Sequence, residues 1–96
     1  MELVIFARFH ARPGQEHAVA DAVRTVVVPT REEPGCLTIG AFRSTRDGRL
    51  FYIHSRWTDE AAFERHASLP HTVTFIERVT ALIDHAVDVT RAEPIG

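Results

Sequence analysis

Asp47-Gly48 stands near the middle of a 96-residue chain, between CLTIGAFRST (36–45) and RLFYIHSRW (49–57). An Asp-Gly step between two stretches rich in β-branched and aromatic residues is the strongest short-range signal for a β-hairpin, since the tight turn uses a positive φ that glycine adopts without strain. The second stretch alternates Phe51, Ile53, Ser55 and Trp57 against Tyr52, His54 and Arg56, so each set faces one side of a sheet. Gly40, inside the first stretch, predicts a bulge. A central antiparallel pair is therefore what the rest of the chain must be arranged around.

Both flanks repeat a strand and a helix. ELVIFARFHA (2–11) puts Leu3, Ile5, Ala7 and Phe9 on one face and Val4, Phe6, Arg8 and His10 on the other, which predicts a first strand ended by Arg12-Pro13-Gly14. QEHAVADAVRTVV (15–27) sets Ala18, Val19, Ala22, Val23, Val26 and Val27 at helical spacing, with Glu16 at the favourable end of the dipole, and Pro29 is expected to stop or kink this helix. REEPGC then supplies a turn.

Beyond the hairpin, Thr58 or Asp59 is placed to cap DEAAFERHA (59–67), and neither has Glu or Gln three residues on to complete a capping box. HTVTFIERVTALI (71–83) shows a second helical stripe of Val73, Ile76, Val79 or Thr80, and Ile83. HAVDVTR (85–91) predicts the last strand, and EPIG a frayed tail.

The order is βαββαβ, the split β-α-β pattern of a ferredoxin-like α+β domain: one antiparallel sheet with its helices on one face. A chain this short closes one core, so residues 1–96 form a single domain. The sheet's other face also carries apolar residues, and burying it against a second copy would supply the apolar contact that so small a domain lacks; a homodimer of facing sheets is the expected assembly. Arg8, His10, Arg43, Tyr52, His54 and Arg56 either line a wet cavity or form pairs at that seam, and the seam is favoured.

Composition removes several function classes. The 11 basic residues are dispersed and balanced by 13 acidic ones, so no positive stripe for nucleic acid exists. All the basic residues are arginine, which excludes a Schiff-base lysine. Cys36 is the only cysteine, so there is no internal disulfide or CxxC pair, and it is expected to be a small buried hydrophobe. With no basic leader before MELVIFARFH and no long apolar run, neither export nor a membrane span is expected, and a cytoplasmic location fits best. Neither GxSxG, GxGxxG nor a P-loop occurs. The six histidines show no HxxxH spacing, so no metal site is expected.

What remains is FERHASLPH (63–71). Phe63 lies one turn before His66 and Phe75 one turn after His71, so each imidazole meets an aromatic ring, and an imidazole beside apolar surface can act as a general base. The alternative is that His66 completes a helix C-terminus and His71 opens the next helix. Trp57 likewise has both a core and a pocket-wall reading.

The ordered set ARPGQE (11–16), TREEPGCL (30–37), the strand ending at Trp57, DEAAFERH (59–66) and LPHT (69–72) resembles the antibiotic biosynthesis monooxygenase family, including its quinol monooxygenase members, over residues 3 to 90. The resemblance implies a dimeric α+β barrel of ferredoxin-like protomers. It also implies oxygenation of an electron-rich aromatic such as a quinol or polyphenol by dioxygen, with no cofactor. His66 and His71 fall where the family carries its paired histidines and are implied as catalytic. Trp57, Phe63 and Phe75, with Ser55, are implied as substrate contacts. Relatives commonly have Glu at the position of Ser55, which speaks against a mechanism through that carboxylate. The haem-degrading branch uses an asparagine, and this chain has none. A small-metabolite isomerase or a non-catalytic ligand-binding dimer on the same fold are the alternatives.

Overall fold

The computed structural model describes residues 1–96. Its elements are β1 (Leu3–His10), α1 (Glu16–Thr30), β2 (Cys36–Arg43), β3 (Leu50–Trp57), α2 (Glu60–Ala67), α3 (Pro70–Thr80) and β4 (Asp88–Ala92). The four strands form one antiparallel sheet in the order β2-β3-β1-β4, with the expected hairpin β2-β3 at one edge, although its connection spans residues 44–49 and Gly48 takes no positive φ, so it is a longer loop and not a tight Asp-Gly turn. This is the ferredoxin-like α+β arrangement. No helix is long and apolar enough to cross a membrane.

Alternation in β1 and β3 decides which face is covered. Leu3, Ile5, Ala7 and Phe9, with Phe51, Ile53, Ser55 and Trp57, are buried towards the helices, and Ala7, Phe9, Phe51 and Ile53 form one cluster with Val19, Val23, Val26 and Val27 of α1 and Phe75 and Val79 of α3. Each fully buried Val, Ile or Phe of this set contributes about 1.5–3 kcal/mol of apolar transfer. Leu3, Ile5, Trp57 and Ala62 form a second cluster under α2. On the opposite face Phe6, Phe42 and Tyr52 stay exposed.

Several local expectations are corrected. Pro29 lies inside the last turn of α1, which ends one residue beyond it at Thr30. In the last turn a proline's missing N–H removes one bond only, and Thr30, fully buried, ties that turn down by donating its hydroxyl to the Val26 carbonyl at 2.7 Å. Gly40 is no bulge. It pairs in register with His54, and the irregularity lies between Cys36 and Thr38. A Cβ at Gly40 would stand 3.0 Å from the Phe42 ring, so glycine there makes room for that side chain.

In α3 the buried residues are Thr72, Phe75 and Val79, while Val73 and Ile76 are exposed. Phe75 sets this rotation by packing edge-on against Phe9 at 5.5 Å. The helix starts one residue early, at Pro70, which suits the first helical position because its absent N–H would have no partner there. It ends at Thr80, and Ile83 is buried through an isolated bridge to Ala11 instead.

β4 begins at Asp88, not at His85. Beside the end of β1, the His85 Nε2 accepts the His10 backbone N–H at 2.9 Å, taking the place of a strand carbonyl. Asp59 is the N-cap of α2, its carboxylate accepting the Ala62 N–H at 2.8 Å, with no capping box.

Candidate active site

The corner between α2 and α3 is only Ser68-Leu69, and it brings His66 from the last turn of one helix beside His71 from the first turn of the next. Their ring centroids are 6.1 Å apart. Between them lies a residue that the sequence reading passed over: Glu33, in the turn after α1. Its side chain is 7% exposed, and one carboxylate oxygen, Oε2, lies 2.8 Å from His66 Nδ1 and 2.6 Å from His71 Nε2.

The turn that carries Glu33 is held by Gly35. Gly35 has φ +89, its carbonyl accepts the Thr58 N–H at 2.9 Å, and a Cβ on it would come 2.6 Å from the Ala62 Cβ. Only a residue without a side chain allows this turn to lie on α2, and so allows Glu33 to reach under the helix corner.

An ionised carboxylate only accepts, so the protons in these two bonds sit on His66 Nδ1 and His71 Nε2. The tautomer follows from this network. In the neutral ring the lone pair of His66 is thereby on Nε2, which has no hydrogen-bond partner within the protein. Every inaccessible side-chain nitrogen or oxygen in the molecule is bonded, so this unbonded atom retains access to open space. The His66 side chain lines a half-open cavity of about 350 Å³ between the sheet, α1, α2 and α3.

Twelve of the 17 residues lining the cavity are hydrophobic, and its polar members are Thr30, Ser55, His66, Thr72 and Arg91. Phe63 and Phe75 are in the wall. Ser55 is there too, although its oxygen already accepts the indole N–H of Trp57 at 3.0 Å. Trp57 is wholly buried and stands behind the wall, its ring 4.9 Å from that of His66 and 5.7 Å from that of Phe63. It braces the imidazole and does not line the cavity. His71 also stands outside, in a separate surface groove with Pro70, Phe75 and Arg78.

Arg91 closes one side of the opening. Its partner in β1 is Ile5, so it faces the helices, where its guanidinium lies 5.1 Å from the Phe63 ring centroid and 2.7 Å from the Glu64 carboxylate. Strand alternation through Val87, Val89 and Arg91 was the one signal in the sequence that pointed to it. Glu33 had none, because a turn has no period.

Cys36 is half-buried near Trp57. Burial, and then the Glu33 carboxylate, push its thiol above the usual range against the opposing Arg31, which leaves it a packing residue with little thiolate character. A larger depression of about 470 Å³ lies by Met1, Glu2, Asp59, Glu60 and Glu93. It is a charged, solvent-open hollow without an imidazole, whereas the smaller cavity is apolar and has His66 in its wall.

Comparison with known proteins gives the family and the fold. The sequence profile described as antibiotic biosynthesis monooxygenase matches residues 3–78. Rv0793 of Mycobacterium tuberculosis, whose name marks it as a candidate monooxygenase, is 28% identical over 93 residues, covering 97% of this chain and 91% of that protein. Its structure superimposes with a TM-score of 0.94 over 100% of this chain and 97% of that one, at 26% identity. PA3566 of Pseudomonas aeruginosa is 32% identical with a TM-score of 0.91, covering 99% and 95% of the two chains. The chain belongs to the antibiotic biosynthesis monooxygenase family.

Proposed function

We propose that the protein is a cofactor-independent monooxygenase that oxidises a quinol or polyphenolic aromatic with dioxygen. One observation carries this reading: His66, its Nδ1 backed by the Glu33 carboxylate at 2.8 Å and its Nε2 without a partner in the protein, lines an apolar, aromatic-walled cavity. Such a cavity admits a flat aromatic and excludes water, while a single base stands at its wall.

His66 Nε2 takes a phenolic proton, and the positive charge formed on the ring lies against Glu33. The electron-rich anion gives an electron to dioxygen. The radical pair recombines as a carbon–oxygen bond, the peroxide anion takes the proton back from His66, and the resulting hydroperoxide loses water, together with the hydrogen on the same carbon, to leave a carbonyl. One oxygen atom stays in the product, the other leaves as water, and the substrate supplies all the electrons.

The alternative of a small-metabolite isomerase would require several arginine or tyrosine donors inside the cavity. It holds one arginine, already paired with Glu64, and no tyrosine. A non-catalytic binding dimer would leave the carboxylate-backed base without a purpose. We also take the working unit to be a homodimer closed through the exposed Phe6, Phe42 and Tyr52 face.

Oxygen uptake with a panel of hydroquinones, polyphenols and anthrones tests the reading. An enzyme-dependent rate that disappears in His66→Ala supports it, and the absence of any such rate removes it.

A further inference from the structure

We propose that Glu33, His66 and His71 form a binding site for a divalent transition-metal ion of the zinc type, and that filling it switches His66 from proton acceptor to donor. The binding stands on geometry alone; the switch rests on His66 being the base.

One carboxylate oxygen and two imidazole nitrogens, from three separate elements, lie within 4.8 Å of one another. Two histidines and a glutamate are a ligand set that zinc and its neighbours use, with the fourth position left to water or another oxygen. Thr72 Oγ1, 3.2 Å from His66 Nδ1, borders that position. Ligand atoms around tetrahedral zinc are about 3.3 Å apart. Here the carboxylate oxygen is 2.8 and 2.6 Å from its two neighbours and the two imidazole nitrogens lie within 4.8 Å of each other, so on binding the oxygen would draw back while the two rings turn towards a common centre.

Charge supplies the driving force. Glu33 is almost fully buried, and its ion-pair partners are these two histidines and no arginine. With both rings neutral, its negative charge is held by hydrogen bonds alone, a state that a small cation relieves. His71, 25% exposed, leaves the ion a way in from the surface groove.

The consequence for His66 follows from its two nitrogens. The metal takes the lone pair at Nδ1, and the proton formerly there moves through solvent to Nε2. The ring stays neutral, but the nitrogen that served as acceptor now carries a hydrogen and can no longer accept one.

Zinc titrated calorimetrically into chelator-treated protein, with cobalt(II) as a visible-absorption probe, tests the site. The expected result is one ion per chain, with binding weakened more than about tenfold in Glu33→Gln and in His71→Ala. His10→Ala removes the other histidine–carboxylate cluster and should leave binding unchanged. Circular dichroism and a thermal melt confirm that each variant folds, with His71→Gln as the milder replacement.

No heat and no cobalt bands, or binding lost in His10→Ala but kept in the Glu33 and His71 variants, overturns the site. In the oxygen-uptake assay, saturating zinc should abolish the rate and a chelator restore it. Zinc bound at this site with the rate unchanged overturns the switch. Were no oxygen uptake found at all, the oxygenase reading would fail while calorimetry still decided the metal.

Discussion

Glu33 and His66 are 33 residues apart in sequence, yet Oε2 of one lies 2.8 Å from Nδ1 of the other. This contact fixes the tautomer of a ring that lines the cavity, so the two residues act as a unit. His66→Gln, which keeps the volume but not the base, should lower kcat by about 10²–10⁴-fold, as loss of a positioned general base does. Glu33→Gln should lower it less, because the ring keeps its lone pair and loses only its anchor. Steady-state oxygen uptake on both variants checks the order, and a Glu33→Gln rate equal to the wild type would refute the unit.

Gly35→Ala is expected to destabilise by about 1–3 kcal/mol, from a strained positive φ together with overpacking. The causes are φ +89 and an approach of 2.6 Å to the Ala62 Cβ. In a domain this size each kcal/mol lowers Tm by about 4–8 °C. The rate should drop with it, since the turn that carries Glu33 is displaced. A melt identical to the wild type would show that the turn is not held by this contact.

Acid sensitivity should be traceable to the other histidine cluster. His10 Nδ1 lies 2.6 Å from Asp84 and its Nε2 3.1 Å from Asp47. The bond with His10 is the main cause holding the Asp84 carboxyl below its ordinary value, and a backbone bond from Arg49 followed by His10 does the same for Asp47. A carboxyl depressed in the folded state adds stability above its unfolded value, about 3.9, and that stability is lost as pH falls through the lower folded value. Urea unfolding of the wild type should therefore weaken below about pH 4. Asp84→Asn should be less stable at neutral pH and should show a smaller acid loss. Parallel pH curves for the two proteins would contradict this account.

The proposed dimer predicts its own failure on substitution. Phe6 is 51% and Phe42 55% exposed on the uncovered sheet face. Light scattering should give twice the chain mass for the wild type. Phe6→Asp, which places a charge in an apolar seam, should give the chain mass with circular dichroism unchanged. A wild-type monomer at micromolar concentration would remove the assembly.

Period and turn chemistry in the sequence determined the strand and helix order, the pairing of β2 with β3 as a hairpin, the two faces of β1 and β3, and the cap at Asp59, because each depends on neighbours a few residues away. His66, Phe63 and Phe75 could be named in advance for the same reason: helix geometry places them near one another. The tertiary structure alone decided that α3 turns Phe75 and not Val73 inwards, since Phe9 on a distant strand selects the face. It alone put Trp57 and His71 behind the cavity wall, and brought Glu33 to His66. That last contact depends on a glycine turn pressed against a helix roughly thirty residues further along the chain. No local pattern encodes such a contact, because the close approach exists only once both surfaces are packed.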